Sequence, residues 1–325
     1  RRTDPNARTI VLTIIVRRLL ALLPLMLIVS FLVFSLVVFL PGDPAESIAG
    51  GTDAAPEQIE KVRSELGLDD PLVVQYGRWL GDAVQGDLGT SLYTKRSVAD
   101  EIVSRFPVTF SVAIGAIFIS LVLGMSVGII AALRQGHFTD RAVIFGTSLG
   151  LAMPSFWLAL MLIIIFSVNL QWLDSIGYVP FTQNPVEWAS HLIMPWLALG
   201  IGAAASVARQ VRGALIDVLD QDYVRTARSK GLAGHKVVGK HALKNAAMPA
   251  ITVLGIQFAY LLGGTVIVES IFTIPGLGTY VLGAISGRDL PVIQGVVLMM
   301  AVIFVVINLV VDILYAVVNP KVRLS

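Results

Sequence analysis

The sequence predicts an all-α membrane protein with six transmembrane helices. Of its 325 residues, 55% are hydrophobic and only 14% are charged, and the mean hydropathy is +0.79. Soluble domains have a far more polar composition. Several apolar runs approach or exceed the roughly 20 residues that a helix needs to cross a bilayer. Lysine and arginine are also concentrated in alternate connections between these runs.

Six apolar runs define the predicted spans, at residues 19–40, 106–133, 142–168, 191–207, 246–268 and 292–318. The first run follows Arg17 and Arg18, as a secretory signal would, but it is too long for a signal and no Ala-x-Ala site follows it. We therefore expect it to remain as a transmembrane helix. Residues 10–16 form a shorter apolar patch that we expect to lie at the membrane interface.

The basic residues predict that both termini face the cytoplasm, because cationic loops near span ends stay inside. They cluster before the first run, after the second, after the fourth and after the last: Arg1, Arg2, Arg8, Arg17, Arg18, Arg134, Arg141, Arg209, Arg212, Arg225, Arg228, Lys230, Lys236, Lys240, Lys244, Lys321 and Arg323. The other connections hold Asp174, Glu187, Glu269, Arg288 and Asp289, which we expect in outer loops. Residues 1–18 and 319–325 are therefore predicted to be cytoplasmic.

Residues 41–105 form a long loop after the first span, predicted to be an extracytoplasmic cap. The loop is basic in places, but loops longer than about 60 residues cross the membrane largely regardless of charge. Two short helices are expected in it, one from Pro56 to Gly67 and one opening at Asp70-Pro71. Such a cap could pack only on its own chain or also on a partner, and the sequence leaves both open.

The composition excludes several kinds of chemistry. The chain has no cysteine, which excludes disulfides, thiolate nucleophiles and cysteine-ligated metals. The four histidines form no H-E-x-x-H or similar pattern, so no metal site is predicted. The net charge of +2 gives no basic footprint for nucleic acid.

Residues 234–241, Gly-His-Lys-Val-Val-Gly-Lys-His, nearly match the phosphate loop G-x-x-x-x-G-K-[ST]. The match fails because His241 replaces the hydroxyl residue that holds magnesium, and no β-strand pattern precedes the segment. The chain is therefore not expected to bind nucleotide or to be an enzyme by itself.

Gly146-Thr-Ser148-Leu-Gly150 fits the serine-hydrolase elbow G-x-S-x-G. An elbow needs a strand-to-helix turn and a histidine base, whereas Ser148 lies in a helical run and all histidines lie at or beyond the span ends. The same spacing is small-xxx-small, as is Gly124 to Gly128, and such pairs let membrane helices approach closely. We therefore predict helix packing at both pairs.

Residues that could line a cavity between the helices lie in the third and fifth predicted spans. Pro154 is expected to kink the third span, where Trp157 follows it, and Gly255 and Gln257 lie in the fifth. Asp312 lies inside the last span, where a central charge costs about 3 kcal/mol. A structural ion pair is favoured over proton coupling because of the nearby residues Asn319, Lys321 and Arg323.

A short exposed helix is predicted between the fourth and fifth spans, at residues 220–231. Asp220 or Asp222 suits its start, and Gly231 suits its end. Its mixture of apolar and basic side chains suits docking into a groove of a partner, and small residues permit close approach. The alternative is a solvated connector that serves only the positive-inside rule. The residues proposed to make the contact are Asp222, Tyr223, Arg225, Thr226, Ala227, Arg228, Lys230 and Gly231.

This segment carries a specific resemblance. The triplet Arg225-Thr226-Ala227, with Gly231 four residues beyond, resembles the EAA loop of ABC importer membrane subunits, whose coupling helix sits on the ATPase. More narrowly, residues 223–232 and 241–245 are similar to the B-type subunit of the dipeptide, oligopeptide and nickel permease family. Matching motifs cover nearly the whole chain, including Pro41-Gly42-Asp43-Pro44, Gly86-Asp87-Leu88-Gly89, Pro275-Gly276-Leu277-Gly278 and Arg288-Asp289. Arg225 stands where the general importer pattern has Glu, and Pro249 comes late after Gly231.

The resemblance implies a type I ABC importer fold, with residues 106–318 as its core of five helices. It also implies the partners: a second homologous permease subunit, two ATPase subunits that bind ATP and magnesium, and an extracytoplasmic substrate-binding protein. The cargo implied is a peptide or a peptide-like solute. The alternative is a secondary transporter driven by an ion gradient, for which Asp312 is the sole intramembrane charge in the sequence and no internal repeat is visible.

Overall fold

The computed structural model of the chain describes residues 23–35, 44–49 and 54–318, and these residues are predominantly helical. In chain order the helices are α1 (Leu23–Ser35), α2 (Pro44–Ala49), α3 (Pro56–Leu66), α4 (Leu72–Val84), α5 (Val98–Leu133), α6 (Phe138–Ala152), α7 (Ser155–Leu162), α8 (Pro185–Leu219), α9 (Asp222–Ser229), α10 (Gly234–Lys236), α11 (Leu243–Ile271), α12 (Leu277–Gly287) and α13 (Leu290–Val318). Two π-helical segments, Ile163–Asn169 and Val237–Ala242, continue α7 and α10.

Four described helices are long and apolar enough to cross a bilayer: α5, α8, the Val253–Ile271 part of α11 and the Leu290–Val311 part of α13. The bent pair formed by α6 and α7 is a fifth candidate if it counts as one span. Helix α1 lies within the first predicted span, whose remaining residues lie outside the described part. The all-helical membrane class is therefore confirmed, whereas the count of six spans stays a prediction.

The third predicted span is broken at Pro154 rather than gently kinked. Residues Phe138–Ala152 and Ser155–Asn169 meet at 100°. Both Met153 (ψ 120°) and Pro154 (ψ 140°) are extended. Proline lacks a backbone N–H, and its ring disfavours the helical conformation in the residue before it. The sequence predicted a kink at Pro154, and the structure has a break there with an angle of 100° between the two helices.

Residues 108–279 and 306–318 belong to one compact unit, and α8 supplies a large part of its buried surface. The helix starts at Pro185 after the N-cap residue Asn184, whose side-chain oxygen accepts hydrogen bonds from the N–H groups of Val186 and Glu187. An Asn cap followed by proline is a strong helix start. Small side chains then dominate the middle of the helix, where Ala203, Ala204 and Ala205 are buried.

Glycines on α5 let α8 approach closely. A Cβ added at Gly124 would lie 2.7 Å from the Cβ of Val207, and one added at Gly128 would lie 2.7 Å from the carbonyl oxygen of Ala208. Side chains larger than hydrogen would therefore push the two helices apart. The predicted packing role of the Gly124–Gly128 pair is confirmed.

Of the second glycine pair, on α6, one member lies at a contact with α8 and the other does not. A Cβ added at Gly150 would lie 3.3 Å from the Cβ of Ala205, whereas Gly146 has open space around it. Ser148 between them lies within the helix and donates a hydrogen bond of 2.9 Å to the carbonyl of Ile144. The backbone there is helical, so it lacks the strand-to-helix turn of a hydrolase elbow.

Residues 23–35, 44–49, 54–107 and 280–305 form the second unit, which contains the predicted cap. Both short helices of the cap are confirmed as α3 and α4, and Gly67 ends α3 with φ of 58°. Helix α4 packs on α1 of its own chain. The Tyr76 ring lies 5.2 Å from the Phe31 ring, the Trp79 ring lies 5.6 Å from the Phe34 ring, and the Tyr76 hydroxyl shares a hydrogen bond of 2.7 Å with Ser30 Oγ.

Asp289, expected as a charge in an outer loop, is instead 4% exposed. Its carboxylate accepts hydrogen bonds from Ser91 Oγ at 2.5 Å and from the Leu92 N–H at 3.1 Å. The Tyr93 hydroxyl donates to the carbonyl of Gly287 in the same turn. These contacts satisfy the buried carboxylate and attach the segment after α4 to the turn between α12 and α13.

Candidate coupling site

Helix α9, the predicted docking helix, has one face turned towards its own chain. Val224 is fully buried and Ala227 is 8% exposed, and both pack with buried Val237 from the π-helical segment. Val218 and Leu219, at the end of α8, pack against the same cluster. The close approach that small Ala227 permits is therefore an approach to its own chain.

The other side of α9 is exposed and carries both arginines of the helix. Its exposed residues are Asp222, Tyr223, Arg225, Thr226, Arg228 and Ser229, with Lys230 just beyond the helix end. Arg225 pairs with Asp222 one turn earlier, at 3.5 Å, and both side chains are highly exposed. Exposed pairs of this kind contribute little to stability. The face therefore presents an aromatic ring and several cations at the surface of the chain.

The start of α9 differs from the prediction. Gln221 is the N-cap residue and makes no side-chain capping hydrogen bond, whereas Asp220 ends α8 and Asp222 is the first residue of α9. The carboxylate of Asp222 in the first turn is favourable next to the partial positive charge of the helix terminus. The helix is also shorter than the predicted segment 220–231.

Helix α9 ends as predicted, and Gly231 is the residue that terminates it. Gly231 has φ of 77°, and its N–H donates to the carbonyl of Arg228 at 2.9 Å. The N–H of Leu232 reaches back to the carbonyl of Ala227 at 3.3 Å. These two bonds form a Schellman motif, which requires a left-handed residue after the helix and therefore favours glycine.

Packed side chains lead from α9 into the helical unit, because Val218 and Leu219 pack against the α9 cluster and also against a second cluster around Ala242. Val237, which touches α9, begins the π-helical segment that ends at Ala242. Ala242 is buried with Ala132 of α5, Leu215 of α8 and Ala246 of α11. The backbone is helical throughout residues 234–242, which differs from the strand–loop–helix context of a phosphate loop.

Sequence reasoning missed an ion pair that joins α6 to α8. The Asp140 carboxylate, almost fully buried, accepts hydrogen bonds from Arg212 Nε at 2.5 Å and Arg212 Nη2 at 2.8 Å. The N–H of Gly136 adds a third, at 2.9 Å. Bidentate pairing gives this contact a specific geometry. In the sequence, Arg212 was only one of many basic residues in a cytoplasmic connection.

Glu269, another acidic residue expected in an outer loop, is fully buried at the end of α11. Its Oε2 atom accepts hydrogen bonds from the N–H groups of Gly278 at 2.8 Å and Thr279 at 3.3 Å, in the first turn of α12. Thr109 of α5 accepts from the N–H of Leu277 at 2.8 Å. A carboxylate at a helix N-terminus is favourable, so Glu269 fixes the Pro275–Gly278 turn from within.

The four pathway candidates occupy different positions. Pro154 makes the break after α6, and Trp157 is 43% exposed on α7. Gln257 lines a groove between α6, α8 and α11, whereas a Cβ added at Gly255 would lie 2.7 Å from Val311 Cγ1, so Gly255 provides a packing position for α13. The position of Asp312 lies within α13, but its side chain and its proposed partners near the end lie outside the described residues.

Among the residues that the structure describes, no cluster of three or more His, Asp or Glu side chains has the arrangement of a metal site.

The comparisons with known proteins identify the family. Its profile, described as binding-protein-dependent transport system inner membrane component, matches residues 124–324, and the N-terminal profile of the same systems matches residues 11–113. The glutathione transport system permease protein GsiC of Escherichia coli (strain K12) is 45% identical over 312 residues, which are 96% of this chain and 99% of that protein. A transport system permease protein of Brucella abortus (strain 2308) is 45% identical over 310 residues, with coverage of 95% and 98%.

Solved structures of the MetNI methionine ABC transporter in inward-facing conformations share the fold. One matches with a TM-score of 0.54 and 20% identity over 67% of this chain and 96% of that chain. A second crystal form gives a TM-score of 0.55 and 19% identity over the same shares. The match supports the type I importer fold. The chain therefore belongs to the family of binding-protein-dependent transport system inner membrane components, as a multi-pass permease subunit of an ABC importer.

Proposed function

We propose that this permease forms one half of the translocation pathway for peptides or peptide-like solutes. The relatives that cover almost the whole chain include permeases named for glutathione transport, and glutathione is a tripeptide. The other half of the pathway comes from a second, homologous permease subunit. An extracytoplasmic binding protein delivers the cargo, and two ATPase subunits bind ATP and magnesium and supply the energy.

The proposed coupling element is α9, and its division into two faces is the observation that carries the proposal. Val224 and Ala227 fix the helix to its own chain, while Tyr223, Arg225 and Arg228 remain exposed. A helix held firmly on one side and exposed on the other can transmit rigid-body motion. ATP-driven closure of the ATPases would push on α9, and Val218 and Leu219, which pack against both clusters, would carry that motion into the helices.

The proposed topology has six spans, with residues 1–18 and 319–325 on the cytoplasmic side. Residues 19–40 form the first span, residues 41–105 the extracytoplasmic cap, and residues 106–318 the type I core. The exposed basic face of α9 and the basic connection at Arg134 and Arg141 support this orientation, since both lie on predicted cytoplasmic loops.

Cross-linking tests the coupling assignment directly, because the chain has no cysteine and each introduced thiol is unique within it. In the assembled transporter, Tyr223→Cys should cross-link to an ATPase subunit through a short thiol-reactive reagent. Lys95→Cys, an exposed position in the cap, is the matched control and should not. Membrane-impermeant reagent added outside intact cells should label Lys95→Cys and spare Tyr223→Cys. External labelling of Tyr223→Cys would contradict both the topology and the coupling role.

Dependence on ATP separates this proposal from an ion-gradient transporter. Proteoliposomes that contain the complete complex should accumulate a labelled tripeptide only when ATP is available to the ATPases. An ion gradient alone should give no uptake. Accumulation on a gradient without ATP would favour the secondary transporter and would direct attention to Asp312.

A further inference from the structure

A groove with both polar and apolar lining lies between α6, α8 and α11. Its volume is about 470 Å³, which falls within the ~300–1,000 Å³ typical of ligand pockets. The groove is open at the surface of the helical unit. Its lining residues are Leu151, Ser206, Arg209, Gln210, Val253, Ile256 and Gln257.

The lining has a regular origin in the sequence. On α8, Ser206, Arg209 and Gln210 have the i, i+3, i+4 spacing that places side chains on one helix face. On α11, Val253, Ile256 and Gln257 repeat the same spacing. The α8 side therefore supplies a cation, an amide and a hydroxyl, and the α11 side supplies an amide and two apolar side chains.

Two arginines one turn apart on α8 have different environments. Arg212 directs its guanidinium into the buried pair with Asp140. Arg209 is exposed and lines the groove, and among the described residues it forms no ion pair. Because arginine stays protonated at any physiological pH, the groove carries a permanent positive charge. Among the described residues that line the groove, none is acidic.

We propose that this groove binds the terminal carboxylate of a peptide cargo, with Arg209 as its partner. The guanidinium fork matches a carboxylate in a bidentate geometry. Gln210 and Gln257 each offer an amide donor and an acceptor, which match the N–H and C=O of a peptide bond. Val253, Ile256 and Leu151 provide apolar surface for a cargo side chain. The inference rests on the proposed function and adds the chemical group that the pathway recognises.

A unique thiol in the groove reports its occupancy. In the complete transporter, in proteoliposomes of phosphatidylcholine, Ser206→Cys is modified with the neutral reagent N-ethylmaleimide in the presence of a tripeptide. A tripeptide with a free terminal carboxylate should slow the modification. The terminal amide of the same peptide should need an about tenfold higher concentration for equal protection, as expected for the loss of one charge-assisted contact.

The variant Ser206→Cys/Arg209→Gln should remove the preference for the free acid. Ser206→Cys/Arg141→Gln, which also removes one exposed cation, is the matched control and should keep it. Equal protection by acid and amide in the parent, or a preference retained in the Arg209→Gln variant, would overturn the proposal. Protection by added phosphatidylglycerol that leaves the peptide without effect would assign the groove to lipid phosphate and would overturn it too.

This experiment is separable from the proposed function. If the wild-type complex shows no ATP-dependent peptide uptake, the proposed function fails. If uptake occurs but the carboxylate gives no specific protection, the groove assignment fails and the transport function stands.

Discussion

Helices α4 and α9 are both short and amphipathic, yet they are held to the chain by different means. On α4, Tyr76 and Trp79 stack with rings of α1, and one hydrogen bond is added to Ser30. On α9, the small side chains of Val224 and Ala227 make the buried contact. Large rings tolerate small shifts, whereas a contact through small side chains depends on close fit. The position of α9 should therefore be far more sensitive to substitution than that of α4.

Ala227→Leu should give the largest effect. Three additional carbon atoms on a face that is 8% exposed would overpack the contact with Val237, at a cost of about 1–3 kcal/mol, and displace α9. ATP-dependent uptake should fall more than about tenfold while the chain still inserts in the membrane. Ala227→Ser is the size-matched control and should keep most of the uptake. Wild-type uptake by Ala227→Leu would remove the coupling assignment.

Gly231→Val should give a smaller loss. The left-handed conformation at φ of 77° costs a side-chain residue about 1–2 kcal/mol, and more for a β-branched one. The Schellman bonds at the end of α9 should therefore loosen, and uptake should fall several-fold. Gly231→Asn is the control, because asparagine tolerates this conformation. If both variants transport equally poorly, the loss comes from the side chain at the partner surface and not from backbone strain.

Tyr76→Phe should have the smallest effect on uptake of the three substitutions. It tests whether α4 is less sensitive to substitution than α9. It removes the hydrogen bond to Ser30 but keeps the ring, so the free energy of unfolding should fall by about 1 kcal/mol. Thermal unfolding of the purified complex measures this change, and uptake should remain unchanged. A loss of uptake as large as that of Gly231→Val would mean that α4 is as sensitive as α9, contrary to the comparison.

Local signals in the sequence predicted much of this architecture. The apolar runs located the helices, and Pro56, Gly67 and Gly231 marked helix ends, because each acts through the backbone of its own neighbourhood. The glycine spacing on α5 also predicted a close helix contact. These features can be recognised in the sequence without knowledge of the fold.

Contacts between distant residues could not be predicted. Arg212 is 72 positions from Asp140, and Asp289 is 198 positions from Ser91, so nothing in the local pattern pairs them. The sequence places Glu269 in a loop, whereas in the structure its carboxylate accepts a hydrogen bond from the N–H of Gly278 in the first turn of α12. The inward orientation of Ala227 likewise depends on Val237, which comes from a separate segment. For Arg209 and Gln257, the sequence gives matching helix spacings but does not indicate that the two faces meet.

Helix α8 has one further consequence for the whole subunit. Its 35 residues run as one helix, about 52 Å long at 1.5 Å per residue. The same helix carries Arg209 in the groove, holds Asp140 through Arg212 and leads directly into α9. A tilt of this helix by about 5° around its midpoint would therefore move each end by roughly 2 Å. A displacement of that size suffices to break or form hydrogen bonds, so a small movement at one end would be felt at the other.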